Sequence, residues 1–184
     1  MNSASKNVSC IILAGGEGRR VHGQDKGLVL FNDRPLIAHA IAAVNKQCDD
    51  IVISANRNIE SYQQYADTVI SDTSDSYRGP LAGIAACLPY CRHEHILVIA
   101  CDMPALPAML VERLAADADV YPVCIASVDD HHQLAMIIHH SLLPSIRQSL
   151  DNEQLKLITW VRSLPYTTVS FDDMPAAFAN LNRL

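Results

Sequence analysis

A glycine-rich stretch close to the start of the chain is the part of the sequence best suited to chemistry. It runs from Leu13 to Lys26 and follows an apolar segment, residues 8–13, that predicts a buried β-strand. Glycines let backbone N–H groups approach a phosphate closely, because no Cβ stands in the way. Arg19, Arg20 and Lys26 add the positive charge that a triphosphate requires. The stretch therefore predicts a nucleotide-binding loop.

Two common glycine loops do not fit this stretch. The P-loop requires a lysine and a hydroxyl residue directly after its last glycine, whereas Gly23 is followed by Gln24 and Asp25. The dinucleotide-binding fingerprint requires a third glycine at the position that Val21 occupies. The sequence therefore argues against a P-loop NTPase and against a dehydrogenase of the dinucleotide-binding type.

The remaining pattern, Leu-Ala-Gly-Gly followed by Arg20 and then Lys26, resembles the signature of the sugar-phosphate type of nucleotidyltransferase. Within that superfamily, the arginine pair and residues 25–28 look most like the molybdenum cofactor guanylyltransferases. The resemblance extends from Ile12 to Asn182. It includes Asn-Arg, Gly-Pro-Leu-Ala-Gly, Cys-Asp-x-Pro and Phe-x-Asn-x-Asn segments at 56–57, 79–83, 101–104 and 178–182. The chain departs from the family pattern at Val21, His22, Ser54 and Gln133.

Apolar strand-like runs alternate with helical stretches along most of the chain. The runs are 8–13, 51–55, 68–70, 95–101, 119–123, 134–138 and 167–171, and the helical stretches are 35–47, 58–65, 80–88, 107–116, one from 141, and 154–162. This alternation predicts an α/β fold, with a mostly parallel twisted sheet and helices on both faces. The resemblance implies the Rossmann-like nucleotidyltransferase form of that fold. Ligands bind such sheets beyond the carboxyl ends of the strands.

The composition is that of a globular chain with a net negative charge. The 184 residues are 49% hydrophobic and 18% charged, and the formal charge of −6 offers no attraction to nucleic acid or an anionic membrane. No apolar run approaches the ~20 residues of a membrane span, and the first residues lack a signal-peptide core. We therefore expect one domain, residues 1–184, in the cytoplasm, with no nucleic-acid or membrane partner. The six cysteines are expected to be reduced thiols.

Three charged side chains are the candidates for catalysis. Asp102 follows the most apolar run of the chain, so it is expected at the end of a central strand. A carboxylate there is costly unless it is paired or binds a cation, and Mg²⁺ is the natural partner of a carboxylate and substrate phosphates. The resemblance implies the same metal role for Asp102 and phosphate contacts for Lys26. Arg19 suits phosphate oxygens because a guanidinium group binds them in pairs.

Further residues are candidates for binding the nucleotide. The backbone of Leu13, Ala14, Gly15 and Gly16 is expected to contact it, and Ser54 and Asn56 end the second strand where they could touch the base or ribose. Asp72 follows the third strand-like run. A carboxylate only accepts hydrogen bonds, so Asp72 faces donors either on guanine or on a ribose hydroxyl. Asn180 and Asn182 match a family segment that could also face the site.

The resemblance implies transfer of GMP from GTP to the molybdopterin-bound molybdenum cofactor, which forms a guanine dinucleotide and releases pyrophosphate. Mg²⁺ is the expected cofactor. The expected transient partners are other cofactor-biosynthesis proteins or recipient molybdoenzymes. Phosphate motifs do not read bases, so cytidylyl transfer to the same cofactor is one alternative. A sugar-1-phosphate acceptor and a catalytically silent GTP-binding regulator are the others.

Overall fold

The computed structural model describes residues 7–15, 25–72 and 78–181. The strands are β1 (Val8–Leu13), β2 (Leu30–Phe31), β3 (Arg34–Pro35), β4 (Asp50–Ser54), β5 (Thr68–Ile70), β6 (His95–Ala100), β7 (Val123–Val128), β8 (His131–His139) and β9 (Thr167–Ser170). The helices are α1 (Leu36–Val44), α2 (Ile59–Tyr62), α3 (Pro80–Cys87), α4 (Leu110–Ala115), α5 (Leu143–Asp151) and α6 (Leu157–Arg162). Short 3₁₀ turns occur at Lys26–Leu28, Leu88–Tyr90, His140–Leu142 and Pro175–Phe178.

Seven strands form one twisted sheet in the order β5-β4-β1-β6-β8-β7-β9. β1 pairs in parallel with both β4 and β6, and β4 pairs in parallel with β5. β8 runs antiparallel to its two neighbours, β6 and β7, and β7 pairs in parallel with β9. The carboxyl ends of β1, β4, β5 and β6 therefore lie along the same edge of the sheet.

Both faces of the sheet are covered, because successive side chains of each strand point to opposite faces. On one face, Ile12 packs in a cluster with residues of α1, α2 and α4, including Ile37 and Tyr62. On the other face, Ile11 packs with residues of α3, α5 and α6, including Trp160. The predicted α/β architecture with helices on both faces is confirmed.

Some predicted boundaries were wrong. The strand expected at 119–123 begins only at Val123, and Val120 is largely exposed. Pro122 explains the shift, because proline has no N–H group to donate within a sheet. The helix expected from Pro107 begins at Leu110. Pro107 instead precedes a turn in which its carbonyl accepts a hydrogen bond from Leu110 N at 3.1 Å.

None of the helices in the described ranges is both long enough and apolar enough to cross a bilayer.

Candidate active site

The ends of three neighbouring strands are joined by backbone hydrogen bonds. The carbonyl of Ser54 accepts from both Ala14 N and Gly15 N at 2.9 Å, and the carbonyl of Leu13 accepts from Cys101 N at 3.1 Å. The amide groups of Ala14 and Gly15 are therefore already engaged within the protein. The expected backbone contacts from these two residues to a nucleotide would have to use their carbonyl oxygens, which accept no hydrogen bond from the described parts of the chain.

Lys26 and Asp102 meet at this edge, although they are 76 residues apart in the sequence. The Lys26 ammonium group donates to Asp102 Oδ2 in an ion pair. The Lys26 side chain is 28% exposed and that of Asp102 is 10% exposed. Asp102 follows β6, which lies beside β1 in the middle of the sheet. Two of the three residues that sequence analysis selected for catalysis are thus brought together, and both side chains keep some exposure to solvent.

Two residues that sequence analysis did not select hold the segment around Lys26. The Tyr62 hydroxyl donates to Asp25 Oδ1 at 2.5 Å, and the amide of Asn58 donates to Asp25 Oδ2 at 3.0 Å. Burial, and then the hydrogen bond to Asp25, raises the pKa of Tyr62 far above its usual range, so the hydroxyl keeps its proton. The position of Asp25 directly before Lys26 was the available signal in the sequence. Tyr62 carried no signal, because it lies in a stretch read only as helix.

Asn56 and Asp72 form a second pair on the neighbouring strand ends. The amide of Asn56 donates to Asp72 Oδ1 at 2.7 Å, and the Asn56 carbonyl oxygen accepts from Asp72 N at 3.0 Å. The same oxygen accepts from the Ser71 hydroxyl at 3.1 Å. These bonds join the ends of β4 and β5 and fix the direction of the Asp72 carboxylate. An added Cβ on Gly15 would lie 3.8 Å from the Asn56 amide nitrogen, so this pair borders the glycine segment.

Ser54 is buried at the end of β4, and its expected contact with the base or ribose stays a prediction. It is 3% exposed, and its Oγ would lie 2.6 Å from a Cβ added to Gly83 of α3. Its hydroxyl therefore points beneath α3, while its carbonyl holds the end of β1. Ser54 is the last residue of β4, and its side chain lies on the buried side of the strand under α3.

The Gly-Pro-Leu-Ala-Gly segment packs α3 against the strand ends. Gly79 has φ of +75°, a conformation that glycine adopts without strain, and Pro80 is the first residue of the helix. A Cβ on Gly83 would also lie 3.1 Å from Leu13 Cδ2. Both glycines are thus required by geometry. In the described structure this segment supports the site through packing.

The C-terminal segment contacts the backbone of Asp102. Leu181 N donates to the carbonyl of Asp102 at 3.1 Å, and Phe178 packs in the core with its ring 4.9 Å from that of Phe171. Asn180 is exposed beside this contact. The backbone of this segment therefore contacts Asp102. That Asn180 faces a ligand stays a prediction, and Asn182 lies outside the described residues.

Several selected residues lie outside the described ranges. They are Gly16, Arg19 and Arg20 of the glycine-rich stretch. The expected backbone contact of Gly16 with the nucleotide and the expected phosphate contacts of the two arginines stay predictions.

The donor set around Asp102 fits a hard cation that is shared with substrate phosphates. The described ranges contain no group of three or more His, Cys, Asp or Glu side chains that could hold a metal by themselves. Asp102 is a mostly buried carboxylate, and Mg²⁺ is commonly held by one or two carboxylates plus phosphates and water. Cys101 beside it is a poor metal ligand, because burial raises the pKa of its thiol to about 12.

Comparison with known proteins agrees with this geometry. Residues 10–165 match the family model of the MobA-like NTP transferase domain. The chain is 39% identical over 181 residues to the molybdenum cofactor guanylyltransferase of Shewanella amazonensis, covering 97% of this chain and 92% of that protein. It is also 39% identical over 181 residues to the guanylyltransferase of Photobacterium profundum, covering 97% and 93%.

Solved structures share the fold. Molybdopterin-guanine dinucleotide biosynthesis protein A from Archaeoglobus fulgidus superposes with a TM-score of 0.78 at 21% identity, covering 95% of this chain and 92% of that one. The 2-C-methyl-D-erythritol 4-phosphate cytidylyltransferase of Thermus thermophilus superposes with a TM-score of 0.74 at 14% identity, with the same coverage. The Rossmann-like nucleotidyltransferase fold is confirmed. The chain therefore belongs to the MobA-like NTP transferase family.

Proposed function

We propose that the chain transfers GMP from GTP to the molybdopterin-bound molybdenum cofactor, which forms the guanine dinucleotide and releases pyrophosphate. The observation that carries the proposal is the Lys26–Asp102 pair at the carboxyl ends of the central strands, where α/β sheets bind ligands. The two named guanylyltransferases, each 39% identical to this chain, support the choice of GTP and of the molybdopterin acceptor.

The reaction is an in-line displacement at the α-phosphorus of GTP. An oxygen of the acceptor's terminal phosphate forms the new bond to this phosphorus, and the bond from the phosphorus to the oxygen bridging to the β-phosphate breaks. The leaving group is pyrophosphate. Such chemistry needs positioning and neutralisation of charge more than it needs an acid or a base. Lys26 supplies a positive charge to the phosphates, and Arg19 is proposed to bind the β- and γ-phosphates.

Asp102 is the residue proposed to hold Mg²⁺. A divalent cation bound there would neutralise charge that develops on the phosphate oxygens. The carboxylate is mostly buried and follows a central strand, so its position is fixed by the sheet. Lys26 lies against one of its oxygens. A cationic side chain and the side chain proposed to bind the cation would therefore contact the same phosphates.

The nucleoside is proposed to lie over Gly15, between the ends of β1 and β4. Guanine presents N–H donors, which suit the backbone carbonyls of Ala14 and Gly15. The Asp72 carboxylate, directed by Asn56, accepts from guanine or from a ribose hydroxyl. We also propose that residues 1–184 form one domain that works in the cytoplasm, with transient contacts to proteins that deliver or receive the cofactor.

The test is pyrophosphate release by the full chain with Mg²⁺ and molybdenum-loaded molybdopterin. GTP, CTP and ATP are compared, each with and without the acceptor. Release with GTP that requires the acceptor is the expected result. Release with CTP alone would overturn the assignment of guanine but keep the reaction type. Binding of GTP without any release would overturn the transferase proposal in favour of a nucleotide-binding regulator.

A further inference from the structure

We propose that Tyr62 is a positioning residue, which contacts the side chain of Asp25 before Lys26 and the main chain of Gly27 after it, and so keeps the lysine ammonium directed at the phosphates. The inference deepens the proposed function and rests on it only in assigning Lys26 to the nucleotide phosphates. The Tyr62 side chain is completely buried beneath the site, and nothing in the transfer step itself requires a tyrosine there.

The first contact fixes the residue before Lys26. The buried Tyr62 hydroxyl donates to Asp25 Oδ1 at 2.5 Å. A buried hydroxyl without a partner is costly, so the hydrogen bond ties the tyrosine and Asp25 together. The raised pKa of Tyr62 keeps this group a donor throughout the pH range of an ordinary assay.

A second donor fixes the other oxygen of the same carboxylate. Asn58 Nδ2 donates to Asp25 Oδ2 at 3.0 Å. Asn58 directly precedes α2 and has φ of +52°, which asparagine tolerates better than most residues. Because the two donors come from the two ends of the short helix α2, the carboxylate of Asp25 can neither rotate nor shift without breaking one of them.

The third contact fixes the residue after Lys26. A Cβ added to Gly27 would lie 3.0 Å from Tyr62 Cε1 and 3.1 Å from Tyr62 Cζ. The main chain of Gly27 therefore lies directly against the phenol ring, and this approach is possible only without a side chain. Tyr62 thus contacts both neighbours of Lys26: its hydroxyl donates to Asp25, and its hydroxyl and ring together pack against Gly27.

Lysine needs such support more than arginine would. Its ammonium group is a point charge on a flexible side chain with several rotatable bonds. The position of the ammonium group therefore depends on where the Cα of the lysine is held. Backbone hydrogen bonds from Leu28 N to the Asp25 carbonyl and from Val29 N to the Lys26 carbonyl give the segment one 3₁₀ turn. Tyr62 docks this turn onto α2. A shift of the lysine away from the phosphates weakens both binding and turnover.

The alternative is that Tyr62 only fills the core, where it is among the largest buried side chains. Tyr62→Phe separates the two, because it keeps the ring and removes the hydroxyl. We expect it to lower kcat/KM for GTP by about tenfold. Tyr90→Phe is the matched control, since Tyr90 is 56% exposed and lies in the 3₁₀ turn before β6, at the opposite end of that strand from Asp102. That control is expected to stay within about twofold of the unchanged chain.

The decisive measurement is a double-mutant cycle with Lys26→Met. If Tyr62 acts through Lys26, adding Tyr62→Phe to Lys26→Met changes kcat/KM by less than about twofold. A full tenfold loss in both backgrounds would overturn the proposal and leave Tyr62 a packing residue. The dissociation constant of Mg-GTP is measured for the same four proteins, so that low turnover of Lys26→Met does not hide the coupling.

A second variant guards against a folding defect in Tyr62→Phe. Asn58→Gly tolerates the positive φ and removes only the donor to Asp25 Oδ2. It is expected to lower nucleotide affinity by about threefold, and Lys26→Met should again mask the loss.

Failure of the proposed function can be distinguished from failure of the role proposed for Tyr62. If the unchanged chain binds a nucleoside triphosphate but releases no pyrophosphate, the transfer reaction is wrong, and the cycle is still decided by dissociation constants for that nucleotide.

Discussion

The ammonium group of Lys26 and the carboxylate of Asp102 form an ion pair that closes the gap between a 3₁₀ turn and the end of β6. The pair is only partly exposed, with Asp102 the more buried partner. Neither side chain is needed to fill the core, so their removal is expected to affect chemistry more than folding.

Lys26→Met and Asp102→Asn are each expected to lower pyrophosphate release from GTP by about a hundredfold or more. The reason is loss of a charged contact to the transition state, which is commonly worth about 3 kcal/mol. The measurement is kcat/KM for GTP at saturating acceptor. Lys46→Met removes a lysine beside the groove between α1 and α4 and serves as the control. Near-normal turnover of either site variant would contradict the assignment.

Removal of divalent cations is expected to abolish turnover, and added Mg²⁺ should restore it. Asp102→Asn should raise the Mg²⁺ concentration for half-maximal rate by on the order of tenfold, because a neutral amide is a weaker ligand than a carboxylate. Residual activity is titrated with Mg²⁺ in the variant and in Asp119→Asn, a control whose side chain is 96% exposed. An unchanged Mg²⁺ requirement in Asp102→Asn would place the cation elsewhere.

Asp72→Asn is expected to raise KM for GTP by about tenfold, since a hydrogen bond to a charged acceptor is worth about 1.5–3 kcal/mol. Comparison with inosine triphosphate and 2′-deoxyguanosine triphosphate identifies the contact. If the carboxylate binds the base amino group, the variant loses little with inosine triphosphate; if it binds the 2′-hydroxyl, the variant loses little with the deoxynucleotide. Asp67→Asn, exposed just before β5, is the control. An unaffected KM in Asp72→Asn would remove this residue from the site.

Ser54→Ala is expected to leave KM for GTP within about twofold, because its hydroxyl faces α3. Gly83→Ala is expected to destabilise the fold by about 1–3 kcal/mol, since the new methyl group would collide with Ser54 Oγ and Leu13. The double variant removes Oγ and should recover part of that loss. Urea unfolding of the three proteins measures it. A strong rise in KM for Ser54→Ala would restore this residue to the nucleotide site.

The Arg113–Asp173 pair is expected to make stability depend on pH at the acid end. Arg113 Nη1 donates to the two carboxylate oxygens of Asp173 at 2.9 and 3.0 Å, and this hydrogen bonding lowers the pKa of Asp173. A carboxylate with a lowered folded-state pKa stabilises the fold above its unfolded pKa of about 4, and the contribution is lost as pH falls through the lower, folded value.

Thermal unfolding of the unchanged chain and of Asp173→Asn therefore should differ at neutral pH and converge below about pH 4. High salt should narrow the difference at neutral pH, because the pair is exposed. A constant difference across this pH range would show that the pair contributes through something other than its charge.

Where several of the candidate residues lie could be predicted, because the family-like segments stand at strand ends. An apolar run followed by Asp102 predicts a carboxylate at a central strand end, and parallel strands place such ends on one edge. The pairing of Lys26 with that carboxylate followed from no spacing rule, since 76 residues separate them. It required the order of β1 and β6 in the sheet, which local patterns do not encode.

The amino-acid sequence by itself determined the α/β class, the family and the main phosphate and metal candidates, because these depend on local patterns of apolarity, glycine and charge. Only the tertiary structure decided that Ser54 turns beneath α3, that Asn56 directs Asp72 and that Tyr62 supports the turn of Lys26. Each of those depends on which face a side chain takes and on which distant element packs against it. Such relations arise from three-dimensional packing, which brings residues far apart in the sequence into contact.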